Sequence, residues 1–272
     1  MSFFVNLPIR YVAQDPSWLD LFVSLRLNPE LGIDAWAIDE LDPRFHDDLV
    51  RRLDDAGLAR AAHLPFMDLR PGSTDPLILT ATRDRLRRAM DLAKRYGAAH
   101  MIGHSGLPAG ADQAFIESWL VRATATWAML LREWPGHAPL YLENIYDPDP
   151  EPLCRLLDGL ADPQAGLVFD AGHWHSFSGG AKRRDLRRWL ERIGPRLRHL
   201  HLHDNSGAGD EHVGLGQGDI PWPELFCFLQ EQELVPGVTF EPHSREDFSQ
   251  SLAFVAAHPE WFKRLGVAPL PA

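Results

Sequence analysis

Cysteine is nearly missing from this chain, with Cys154 and Cys227 the only two among 272 residues. Two thiols build no disulfide framework, and their spacing is not that of a metal knuckle. Basic residues are in deficit too: 27 Lys and Arg stand against 38 Asp and Glu, a formal net charge of −11. Phosphate backbones are bound by basic stripes, so this balance disfavours a nucleic-acid partner. No run of 18 apolar residues occurs, so no membrane span is expected. The opening MSFFVNLPIRYVAQDP lacks the charged start and long apolar core of a signal peptide. A reducing cytoplasm is the setting these absences predict. No Ser/Gly-rich linker or sequence repeat divides the chain, and no G-x-G-x-x-G follows the first apolar run, which disfavours a dinucleotide fold.

What is present is an alternation of strand-like and helix-like stretches, which can be followed eight times. Phe3–Leu7 predicts a strand and Asp15–Leu27 a helix. Ile33–Ile38 is followed by Pro43–Ala56, and Ala61–Phe66 by the longest helix, Asp75–Tyr96, with Thr74 or Asp75 as its cap and Gly97 as its stop. Ala99–Gly103 precedes Asp112–Trp134, Leu140–Glu143 precedes Glu151–Leu160, and Leu167–Asp170 precedes Lys182–Ile193. Leu197–His203 leads through a long loop to Trp222–Glu233, and Val238–Glu241 to Asp247–Ala257. Eight such units in a chain of this length predict a (β/α)8 TIM barrel, one domain over 1–272. A doubly wound open sheet is the runner-up.

The chain holds 13 histidines, and several interrupt apolar runs at their C-terminal ends. These are His63 in AAHLPF, His104 in MIGHSG, Asp170 and His173 in VFDAGHWHSF, and His201 in HLHLHD. Glu143 in LYLEN, Asp210 and His212 in GDEHVG, and Glu241 in TFEPHS complete the set. A lone strand-end His is usually a hydrogen-bonded structural residue, and a strand-end Asp is often a helix cap. In a barrel, however, strand C-termini converge on one mouth. Nine carboxylates and imidazoles gathered there need neutralising cations. A mixed N/O set suits zinc first, with manganese or iron next and calcium last. Nine ligands exceed the roughly four that one ion takes, which predicts two or three divalent ions. His199 and His203 are expected in core or supporting roles. Phe66, Trp174, His175 and His243 are the expected substrate contacts, with Trp174 as a wall of the pocket.

In order and local context these residues resemble endonuclease IV and the wider xylose-isomerase-like barrel superfamily. The resemblance runs from Ala61 to Pro242 and includes the GLGQGDI that follows the Asp-x-His pair. It implies three metal ions: one on His63, His104 and Glu143; a second sharing Glu143 and adding Asp170, His201 and Glu241; a third on His173, Asp210 and His212. The implied chemistry is phosphodiester hydrolysis by water activated between ions about 3.5–4 Å apart, with Glu143 and Glu241 as the catalytic carboxylates. The loops depart from DNA-repair members: PIRYVAQD and the acidic DELDPRF stand where basic and aromatic loops would grip DNA. The expected substrate is therefore a small or nucleotide-like phosphodiester, the nucleotide loop of a corrinoid being one candidate. Three alternatives stand beside it: a sugar isomerase or epimerase with one ion on Glu143, Asp170, His201 and Glu241; an apurinic-site DNA endonuclease; and a non-enzymatic metal-binding barrel. The isomerase gives His63, His104, Asp210 and His212 no task, and the Arg its sugar needs beyond Asp204 is replaced by Asn205, Ser206 and Gly207.

Overall fold

The computed structural model describes residues 3–267, so the expected domain, 1–272, extends at both ends beyond the described residues. Among these, eight strands close into a barrel: β1 (Phe3–Pro8), β2 (Asn28–Gly32), β3 (Ala61–His63), β4 (Met101–His104), β5 (Leu140–Glu143), β6 (Ala165–Asp170), β7 (Leu197–Leu202) and β8 (Gly237–Phe240). Every neighbouring pair is parallel, and β8 returns to β1 with Phe3 opposite Val238. The protein is a (β/α)8 TIM barrel, as the alternation predicts. Strands covered on both faces read as nearly unbroken buried runs, and β6 (AGLVFD) shows this.

Local chemistry sets the punctuation between strands. Asp75 accepts from Leu77 N at 2.8 Å and starts helix Pro76–Tyr96, while Gly97, at φ 61°, ends it in the left-handed region that glycine tolerates. Outside the barrel, Trp119, Trp127 and Trp189 are fully buried among the helices and strands. Gly103 on β4 is what admits Trp127, since a Cβ there would stand 2.7 Å from the indole ring. Among the described residues, no helix is long and apolar enough to cross a membrane.

Three expected elements need correction. The second strand is Asn28–Gly32, not Ile33–Ile38; the latter stretch enters a short helix, Ala35–Asp39, because Asp34 caps it by accepting from Ala37 N at 2.7 Å. The expected helix Asp15–Leu27 is found as Ser17–Leu25, but an unexpected short helix, Ile9–Gln14, precedes it and ends at Asp15–Pro16, where proline removes a backbone donor. Lys182–Ile193 divides into Gly180–Arg183 and Leu186–Ile193, broken where Arg184 turns left-handed at φ 52°. A further short helix, Ala171–His175, follows β6 directly, with Asp170 as its cap.

Candidate metal centre

All nine expected ligands meet at the C-terminal mouth of the barrel. His63 ends β3 and His104 ends β4, and their Nε2 atoms approach the same oxygen of Glu143, Oε2, at 3.2 and 3.3 Å. His63 Nδ1 lies 3.0 Å from the Leu64 carbonyl, to which it donates, leaving Nε2 as the lone-pair nitrogen. The other oxygen of Glu143, Oε1, faces elsewhere: His173 Nδ1 is 3.0 Å away and His201 Nδ1 3.3 Å. Glu143 is thus placed between two groups, as a shared carboxylate must be.

Around His201 Nδ1 lie Glu143 Oε1 and Glu241 Oε1, each at 3.3 Å, and Asp170 Oδ2 at 3.9 Å. On the far side, His201 Nε2 sits 3.3 Å from Glu30 Oε1. A third group forms where His173 Nε2 and His212 Nε2 approach Asp210 Oδ2, at 3.4 and 3.0 Å. His212 Nδ1 donates to the Glu241 carbonyl at 2.8 Å, and its backbone is held at φ 52°, a strained setting for a non-glycine residue.

The loop after β7 brings in this third group, and Asp204 anchors it. The Asp204 carboxylate accepts from Gly216 N, Ile220 N and Trp222 Nε1, and its backbone bridges Val213. The chain therefore folds back over the mouth and delivers Asp210 and His212. Asp170 has two roles: Oδ1 accepts from His173 N at 2.6 Å, capping the short helix that aims His173 inward, while Oδ2 faces the His201 group.

The electrostatics follow from burial. Glu143, Asp170 and His201 have no exposed surface. Burial opposes ionisation of Glu143, but the imidazoles of His201 and His104 outweigh it and hold the carboxyl well below its ordinary range. Glu241 moves upward, through burial and the nearby Asp170 charge. Burial pulls His201 down, yet Glu241, Glu143 and Glu30 drive it well above its usual value. His212 reaches about 9, burial being overcome by Asp210 and Glu241, whereas burial takes His104 down to about 4. A site this acidic demands positive charge. Glu143 Oε1, Asp210 Oδ1, His201 Nδ1 and His203 Nδ1 are buried without a hydrogen-bond partner. Donor atoms aimed at one another without hydrogen bonding fit divalent cations between them. Several sets of potential ligands hold one atom each within 4.8 Å of one another among the described residues, including His63–His104–Glu143, His173–His203–Asp210–His212 and Glu143–Asp170–His173 at the mouth and Glu30–His100–His199 deeper in the barrel.

The expected substrate contacts divide. Phe66 and His243 line the cavity of about 630 Å³ above the ligands, together with His63, Glu143, His173 and Glu241. Trp174 and His175 do not line it. Trp174 is buried, donating from Nε1 to Asp185 at 3.1 Å, and His175 Nδ1 faces Asn205 Oδ1 at 2.8 Å. Both are turned away because the short helix rotates successive residues by about 100° and only His173 faces inward. His203, expected in a supporting role, lies 3.2 Å from Asp170 Oδ1 and stacks on His212 with ring centroids 3.6 Å apart. Gly172 permits this, since a Cβ there would collide with the His203 ring at 2.0 Å. Glu30 was missed altogether. It is buried, accepts from Thr239 Oγ1 at 2.7 Å and backs His201. Glu30 Oε1 and His201 Nε2 face each other without a hydrogen bond, and a carboxylate at that distance electrostatically favours the proton on Nε2, which leaves His201 Nδ1 free for an ion.

A family model described as the xylose isomerase-like TIM barrel matches residues 25–265. The chain belongs to this family. Among curated proteins it is similar to MJ1311 of Methanocaldococcus jannaschii, which carries no assigned function, at 25% identity over 74% of this chain and 72% of that one. Among solved structures it resembles the TTHB071 protein of Thermus thermophilus, soaked with ZnCl2, at 28% identity and TM-score 0.77, covering 94% of this chain and 97% of that one. A D-tagatose 3-epimerase-like protein superposes with TM-score 0.78 at 20% identity, covering 98% of each chain. Further matched structures are named as sugar epimerases, at 12–16% identity. At 12–20% identity these epimerases share the barrel fold with this chain.

Proposed function

We propose that this protein is a metal-dependent hydrolase of small phosphodiesters, working through a centre of two or three divalent ions. The observation that carries this reading is the division of Glu143, whose two oxygens face two separate ligand groups, beside a third group at Asp210. When bound, the ions would lower the pKa of water toward neutrality and neutralise the phosphoryl oxygens. His63 and His104 with Glu143 would hold one ion, Asp170, His201 and Glu241 with Glu143 a second, and His173, Asp210 and His212 a third. The imidazole-rich donor set favours zinc, with manganese and iron also suited to it. Glu143 and Glu241 would orient the attacking water, which gives up one proton as it attacks. Water adds to phosphorus, one P–O ester bond breaks, and the products are a phosphomonoester and an alcohol that carries the second proton.

The substrate is small in this reading. Asp34 and Asp68 border the cavity, and the chain is acidic overall, so a polynucleotide backbone, including an apurinic duplex, would be repelled. Two free cysteines, Cys154 buried and Cys227 exposed, suit a reducing cytoplasm.

A second reading is favoured by the epimerase names among the structural neighbours and by the quartet around His201 Nδ1. One ion on Glu143, Asp170, His201 and Glu241 would hold a ketose, and the two glutamates would pass protons beside its carbonyl. Elemental analysis of protein purified without chelator separates the two. The hydrolase reading expects two or three ions per chain, turnover of bis(4-nitrophenyl) phosphate, and loss of both one ion and turnover in His212→Ala. A single ion, with C3 epimerisation of a ketohexose that survives His212→Ala, would replace it with the second reading.

A further inference from the structure

The rim of the cavity has a different chemistry from its floor. Ten large apolar side chains are exposed among the described residues, and four of them, Phe66, Met67, Tyr146 and Phe177, line this one cavity. Single exposed apolar residues are ordinary, but a group of them around a concave site marks a surface that a ligand covers. Two of the rings rest on candidate ligands. Phe66 stacks on His104, with centroids 4.2 Å apart and planes 20° apart, and Phe177 stacks on His173 at 5.5 Å and 24°. Tyr146 leans on Phe177 at 4.9 Å. The loops after β3, β5 and β6 each contribute, so the aromatic rim continues directly from the carboxylate–imidazole floor.

Below the rim, Leu69, Leu107 and Ile145 keep the wall apolar, and Arg70 is the one Lys or Arg that lines the cavity among the described residues. One cation in the lining suits a single phosphodiester charge and not a polyanion. The many hydroxyls of a free sugar would meet apolar surface and lose hydrogen bonds there. A cavity of about 630 Å³ has room for a phosphate ester bearing a ring system.

We propose that the substrate is a phosphodiester carrying at least one flat, apolar ester group, an aryl or fused-ring system. That group lies against Phe66 and the Phe177–Tyr146 pair while the phosphoryl group reaches the floor. The inference rests on the hydrolase reading and adds the class of substrate to it.

The test compares three monoanions of equal charge on the metal-loaded full chain by calorimetry: diphenyl, dicyclohexyl and dimethyl phosphate. Diphenyl phosphate is expected to bind about tenfold or more tighter than dimethyl phosphate, and tighter than dicyclohexyl phosphate, because a ring face adds to the apolar area. Phe66→Ala and Phe177→Ala should each weaken diphenyl phosphate about tenfold, and Phe66→Leu, which keeps apolar bulk without the ring face, should weaken it less. Diphenyl and dimethyl phosphate binding within about twofold of each other, or variants that leave the preference intact, would overturn the inference. Turnover of bis(4-nitrophenyl) phosphate is read separately. If that ester is cleaved without any preference among the three anions, the rim inference fails and the hydrolase stands. If diphenyl phosphate binds through Phe66 and no diester is cleaved, the hydrolase reading fails and the subsite for flat apolar groups stands.

Discussion

Two layers of the barrel interior are built from the same residue types and behave differently. The lower one holds Glu30, His100, Tyr141, His199 and Thr239, and its polar atoms largely satisfy one another. His199 Nε2 faces Thr239 Oγ1 at 2.7 Å, and that hydroxyl donates to Glu30 Oε2 at 2.7 Å. The rings of His100 and His199 lie 4.6 Å apart and each stacks on Tyr141. Burial keeps both imidazoles neutral, His100 falling to about 4 and His199 well below its usual value, with the neighbouring His100 adding to the latter. The upper layer, at the mouth, gathers carboxylates and imidazoles that approach to 3.0–3.4 Å yet leave Glu143 Oε1 and both His201 nitrogens without a hydrogen bond. Histidine at a strand is therefore no sign of function in itself. What separates a site from a polar core is whether its donors and acceptors close on one another. Glu30 belongs to both layers, and the lower layer keeps two loose ends: Glu30 Oε1, unbonded 3.3 Å from His201 Nε2, and His100 Nε2, unbonded 4.0 Å from Glu30 Oε2.

The sharpest way to break the contrast is at Glu143. Glu143→Gln keeps the volume and removes the charge shared by two ligand groups. Turnover is expected to fall about 10³-fold and the melting temperature to drop, with the circular-dichroism spectrum unchanged, since the imidazoles of His201 and His104 lose the carboxylate they hold ionised. Normal turnover in this variant would show that Glu143 is not the shared ligand. The next effect is smaller and lies at the boundary of the layers. Glu30→Gln should weaken metal binding about 10- to 100-fold in a chelator competition, with the circular-dichroism spectrum unchanged. A cobalt-loaded sample should shift its visible absorption bands, a readout that a purely structural role would leave alone. Unaltered affinity and bands would confine Glu30 to the polar core.

How much of this the chain discloses depends on how local each cause is. Ligands at strand ends are legible because an apolar run and the residue that interrupts it stand side by side, as in LYLEN and VFDAGH. Asp210 and His212 sit in a loop, and only their motif marks them; the Asp204 carboxylate that folds the loop back acts through three partners 12 to 18 residues away. Glu30 was illegible for a physical reason. Asn28-Pro29-Glu30 has no β-branched residue, and its extended form comes from pairing with β1 and β3, while Ile33–Ile38 has the apolar content of a strand without its partners. Trp174 and His175 misled for the opposite reason. They neighbour His173 in sequence, but Asp170 winds this stretch into a helix, and adjacency along a helix is not a shared face.

The smallest expected effect is the control for the whole contrast. His199→Phe retains a ring against Tyr141 and His100 and removes the bond to Thr239, whose hydroxyl keeps Glu30 as its partner. Losing one buried hydrogen bond costs about 1 kcal/mol, which in a protein of this size lowers the melting temperature by about 2–4 °C. Metal stoichiometry should not change, and affinity should stay within about threefold, because the remaining Thr239–Glu30 bond still holds the carboxylate against His201. If His199→Phe instead weakens metal binding as much as Glu30→Gln does, the hydrogen-bonded chain from His199 through Thr239 to Glu30 acts as one unit with the mouth. The lower layer would then be the support on which the site is tuned, and the line between core and site would run beneath both layers.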